Sequence, residues 1–176
     1  MRNQKMHSPL LRFFNCFIHV EMWGVVLLTI IFWSKIPAMV PQHFGSGGLI
    51  DSYGKKSVIV VMIIVCFFVY FMHLILMYAI SKLNDGNQIY GPVLGKSVTD
   101  QETKEGLEII LKMLACIDLF SIGLCIYINF CIATCQNLGR AFEPMIFIGF
   151  AGITLYYIKC FLQYRKQLER AYNMEK

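Results

Sequence analysis

Among the ionisable residues inside the long apolar runs are Glu21, His73 and Asp118; Lys112 and Lys159 lie near run ends and are expected to snorkel. Such a side chain at mid-membrane costs about 2.5–3.5 kcal/mol on insertion scales, so each calls for a partner or a task. Two carboxyls and an imidazole at one depth could pass a proton or hold a cation between helices. The plainer chemistry is a set of interhelical hydrogen bonds with one or both carboxyls protonated. At about 1.5 Å per residue, Glu21 lies about 12 Å, His73 about 10 Å and Asp118 about 14 Å from the cytoplasmic ends of their runs. These depths predict a Glu21–His73–Asp118 cluster. His19, two residues from Glu21, points about 200° around the helix and is expected to stay outside it.

A second group lies between the first two runs. It reads Pro41-x-His43-Phe44-x-x-x-Gly48-x-x-Asp51-x-x-Gly54-x-Lys56. His43 and Asp51 can share a hydrogen bond that fixes the imidazole tautomer. Lys56 can pair with Asp51 or reach a lipid phosphate. A metal would need a third ligand beside His43 and Asp51, and the glycine-rich stretch offers none. The expected unit is therefore a hydrogen-bonded turn, with Gly48 and Gly54 where other residues resist the backbone path.

These residues need helices to position them. The chain has 176 residues, 57% hydrophobic and 15% charged, with mean hydropathy +0.57. Soluble domains carry about 25% charge. The composition excludes disorder, a coiled coil and a collagen-like fibre, and it disfavours a soluble enzyme. Four apolar runs, 13–33, 58–80, 109–133 and 145–162, are each long enough for a helix across a hydrocarbon core about 30 Å thick. The fold class is thus an all-α integral membrane bundle, one domain over 1–176, with an ordered loop at 34–57. The first run exceeds a signal-peptide core and is expected to stay as an anchor. Eleven of the 16 Lys and Arg fall at the N-terminus, between spans two and three, and in the tail. Four fall on the opposite side, so both termini are expected inside and the 34–57 loop outside. The net charge of +5 then suits anionic inner-leaflet lipid rather than nucleic acid.

The loop between spans two and three holds turn residues at Asn84–Asn87 and a capping-box pattern, Thr99 to Glu102, that should start a helix. Pro144 marks the start of span four. Gly123, Gly149 and Gly152 could let helices approach closely.

The Pro41–Lys56 pattern resembles a small bacterial membrane domain of unknown function, found after the first span of proteins similar to the Sdp-type (sporulation-delaying toxin) immunity proteins. The matching positions are Pro41, His43, Phe44, Gly48, Asp51, Gly54 and Lys56. Gly45 stands where relatives often have Asn. The resemblance implies a multi-pass protein of the bacterial plasma membrane and a non-enzymatic immunity or accessory role. Its partner would be a peptide toxin, a lipid or another membrane protein. The alternative, from the intramembrane residues, is a small ion- or proton-coupled transporter component.

Other signals fail on inspection. Gly91 to Ser97 has three residues between its glycines where a P-loop needs four. Cys131 and Cys135 are spaced to share a helix face, but two thiols make a poor metal site. An odd Cys count argues against a disulfide scaffold. No catalytic nucleophile signature is present, and no cofactor or metal is expected.

Overall fold

The computed structural model describes residues 9–86 and 100–174. Four helices dominate: α1 (Pro9–Phe32), α2 (Val58–Gly86), α3 (Asp100–Thr134) and α4 (Phe142–Met174). All four are long and apolar enough to cross a membrane. Their outward faces carry large apolar side chains, such as Phe147 at 75% and Phe68 at 68% exposure. Such faces are stable against lipid tails and would be costly in water.

The described part of α1 begins at Pro9. After Phe32 a 3-10 turn, Trp33–Lys35, leads to Ile36 at φ −73°, ψ 130°. Ile36 precedes Pro37, and the proline ring excludes a helical conformation there. α2 runs through Asn84 and Asp85 to Gly86. Those residues are helical and not in the reverse turn that their types suggest. Asn87, the glycine pair of the P-loop-like stretch and Thr99 lie outside the described residues. α3 is described from Asp100 onward, so the proposed cap is outside that range. Glu143 and Pro144 occupy the first turn of α4, where acid and proline are both favoured.

α3 is the central helix and packs against the other three. The core joins Leu11, Ile18, Met22 and Val25 of α1 to Cys66 and Tyr70 of α2 and to Leu111, Ala115 and Ile122 of α3. The spacings of seven, four and three residues on α1 put its four on one face. α4 meets α3 more narrowly. The Phe120 ring sits against Gly149, where a Cβ would occupy the ring's place, and stacks edge-on to Phe150 at 5.0 Å. Gly152 has nothing within 4 Å of a built Cβ. Gly149→Val should therefore loosen α4 from α3, and Gly152→Val should not. Protease sensitivity of the 135–141 loop in detergent checks the pair.

The all-α expectation needs one correction. The 34–57 segment contains two antiparallel strands, β1 (Met39–Phe44) and β2 (Ile50–Lys55), forming a hairpin. Val40 is fully buried and packs with Ile36, Ile59 and Ile132, so the hairpin's base plugs one end of the bundle.

The α3 terminus corrects a second expectation. Gln136 N–H donates to Cys131 O (2.9 Å) and Cys135 N–H to Ile132 O (3.3 Å). This is the Schellman pattern, and Cys135 occupies its left-handed position at φ +54°. Cys135 is therefore off the helix, and the shared face with Cys131 does not form. A side chain in this conformation costs roughly 1–2 kcal/mol. Cys135→Gly should stabilise the protein by about 1 kcal/mol, visible as a higher unfolding midpoint in micelles.

Candidate functional site

The hairpin carries the first site. Its register pairs Pro41 with Tyr53, His43 with Ser52 and Phe44 with Ile50. Gln42 and Asp51 are each passed over, and these irregularities turn Asp51 towards His43. His43 Nδ1 lies 2.7 Å and 2.8 Å from the two Asp51 carboxylate oxygens. The ring N–H is thus shared by both oxygens. The pair is open to the surroundings, with the His43 side chain 69% and Asp51 48% exposed.

The other motif residues hold this pair in place. Gly47 and Gly48 have φ +70° and +69°, and they make the tip. Gly45 N–H donates to Leu49 O at 2.8 Å, closing it. The tip rests on the 135–141 loop. Leu138 N–H donates to Gly48 O (2.9 Å), and Ile50 N–H donates to Asn137 Oδ1 (2.9 Å). A Cβ on Gly48 would stand 2.9 Å from Gly139 O and 3.0 Å from Leu138 Cβ. A Cβ on Gly54 would meet the Gln42 side chain. Pro41 is buried at the hairpin base, and Phe44 packs between Val40 on one side and Cys131, Leu138 and Phe142 on the other.

Lys56 does not go to Asp51. Its ammonium sits 4.7 Å above the Trp33 ring and donates to Trp33 O at 3.3 Å. Lysine and tryptophan thereby tie the end of α1 to the start of α2.

The second site lies within the bundle. His73, 2% exposed, places Nδ1 2.6 Å from Asp118 Oδ2 and Nε2 3.2 Å from Asn15 Oδ1. Asn15 belongs to α1, so three helices meet there. Asn15 is the member that sequence reasoning missed; a lone amide in an apolar run carries little signal. With Asn15 Oδ1 facing it, the ring would donate from both nitrogens if it carried a second proton. If the Asn15 amide turns over, its N–H donates to Nε2 and the ring is neutral. The same three residues satisfy their hydrogen bonds with or without the extra proton.

Glu21 does not join them. Counted from the hairpin-end termini of the helices, Asn15, His73 and Asp118 lie about 25, 23 and 24 Å down, and Glu21 about 17 Å. The sequence depths assumed that the apolar runs begin at one level, whereas α1 and α3 extend beyond those runs, to Pro9 and Asp100 at least. Glu21 instead lies beside Gly123 of α3, and its Oε2 is buried with no hydrogen-bond partner. His19, as expected, is separate: Nδ1 contacts Tyr70 Oη at 2.8 Å. Lys112, on α3, bonds Glu108 at 2.9 Å. Among the described residues no three metal-ligating side chains come together.

The four apolar helices define a multi-pass membrane protein. Within it, residues 22–69 match a family described as a domain of unknown function, DUF1648. The match runs from Met22 on α1 through the hairpin to Val69 on α2, so it takes in all seven motif residues. Glu21, His73 and Asp118 lie outside it. No curated protein and no solved structure matches the chain.

Proposed function

We propose that this is a non-enzymatic plasma-membrane protein whose hairpin faces outward and docks a partner, in a role similar to Sdp-type immunity or accessory proteins. One observation carries this reading: an exposed His43–Asp51 pair, fixed on a hairpin docked to the 135–141 loop, within the stretch that matches DUF1648. With Nδ1–H given to Asp51, His43 Nε2 presents a lone pair outward. Asp51 adds negative charge beside it. The pair suits a donor or cation: a peptide amine, a lysine or an arginine. The same dyad orients the imidazole in hydrolytic triads. Among the described residues, though, no hydroxyl or thiol hydrogen-bonds the second ring nitrogen, so recognition is the better reading.

A photo-crosslinking residue at Ser46, which is exposed at the tip, tests this in native membranes. One adduct should form and should disappear in His43→Ala and Asp51→Ala variants of normal abundance. An adduct unchanged by both substitutions would contradict docking through the pair.

A second reading has its own observation. The Asn15–His73–Asp118 triad joins three helices and accommodates one proton more or less. This supports a proton-coupled component. In that case Asp118→Asn would fold and yet lose function.

A further inference from the structure

A groove of about 490 Å³ lies between α1 and α3 at the hairpin end of the bundle. That volume is in the range of small-molecule sites, ~300–1,000 Å³. Its walls include Leu28 and Phe32 of α1 and Ile126 and Phe130 of α3. Leu28 (55% exposed) and Phe130 (56%) face where lipid would be, so an occupant enters sideways from the bilayer.

Two features depart from a plain lipid-facing crevice. Asn129 is in the wall, only 5% exposed. Its Nδ2 donates to Cys125 O at 3.0 Å, and its Oδ1 is buried without a hydrogen-bond partner. Only the amide nitrogen can donate to a carbonyl, so the leftover atom is an acceptor. A buried unsatisfied acceptor costs about 1–3 kcal/mol. Thr29 and Thr134, also in the wall, spend their hydroxyl hydrogens on Val25 O (2.8 Å) and Phe130 O (2.7 Å), so they too offer only lone pairs. The groove therefore wants a donor. The second feature is Lys35, the one charged lining residue, at the mouth and 5.2 Å over the Phe32 ring.

We infer that the groove binds an anionic single-chain amphiphile carrying a hydroxyl donor, the chemistry of a lysophospholipid. Its phosphate meets Lys35, its hydroxyl meets Asn129 Oδ1, and its chain fills the apolar walls. About 8 Å of helix rise separates the Phe32 and Asn129 levels, which suits a phosphate and a glycerol hydroxyl a few bonds apart. Lysine near the interface favours the phosphate plane.

Native mass spectrometry of the full chain in detergent, titrated with 1-oleoyl-lysophosphatidylglycerol, tests this. The wild type should saturate at one bound molecule. Lys35→Gln and Asn129→Leu should each weaken that adduct about tenfold, with helicity unchanged. Dioleoyl-phosphatidylglycerol, which has two chains, and methyl oleate, which has neither charge nor donor, should not compete. Should Asn129→Leu fail to fold, Lys35→Gln at the span's end still decides. Equal occupancy in the wild type and the folded variants, unsaturating adduct ladders, or equal binding of the two-chain lipid would overturn the assignment.

Discussion

Asp118→Leu should destabilise the bundle by about 3 kcal/mol, the low end of what losing one partner of a buried charged pair costs. The loss arises because His73, 2% exposed, keeps its Nδ1–H with nothing to receive it. Asp118→Asn should cost about 1 kcal/mol, since the amide oxygen still accepts from Nδ1–H. The Asn15 amide can then present its N–H to Nε2, leaving a neutral ring satisfied on both sides. His73→Leu should match Asp118→Leu within the additivity of a coupled pair, and the double variant should lose less than the sum. Reversible unfolding in mixed micelles measures all four. A tolerated Asp118→Leu would show that the pair is not holding three helices together.

Gly48→Val should cost about 3 kcal/mol, and Gly47→Val only part of that. Both glycines sit at positive φ, so both variants carry the left-handed penalty of roughly 1–2 kcal/mol. They differ in what a side chain would meet. At Gly47 the nearest atom is Arg140 Cγ at 3.8 Å, ordinary contact with a flexible chain. At Gly48 it is the Gly139 backbone at 2.9 Å, and the Leu138 N–H to Gly48 O bond holds that approach. Limited proteolysis of the hairpin separates the outcomes: Gly48→Val exposes it, while Gly47→Val leaves it docked. Similar cleavage in the two would mean that docking on the 135–141 loop does not order the hairpin.

The four helices were legible because hydrophobic length is a strong signal and backbone groups in lipid leave no other choice. The hairpin was less legible. Pro37, Pro41 and seven residues of turn-prone chemistry hide two short strands, and Pro41 argues against a strand unless it is an edge. In a two-stranded hairpin every strand is an edge. The Gly-Ser-Gly-Gly tip between His43-Phe44 and Ile50-Asp51 was the available signal. His43 with Asp51, and His73 with Asp118, could be paired by chemistry and approximate depth. Glu21 could not be placed, because 1.5 Å steps from a hydropathy boundary gave it the depth of residues that lie about 6–8 Å, more than one turn, away. Lys56 over Trp33 was hidden by charge bookkeeping, which sends a lysine to the nearest acid and overlooks an aromatic face.

The hairpin can meet an external partner only if the His43–Asp51 face lies outside the cell, which is the orientation expected from the distribution of Lys and Arg. Replacing the seven native cysteines and introducing Ser46→Cys at the exposed tip gives a direct reading with a membrane-impermeant thiol reagent. In intact cells the tip should be labelled before lysis, and a cysteine at Asn173, near the end of α4, only after it. Labelling of the tip only after lysis would put the hairpin inside and contradict docking of an external partner.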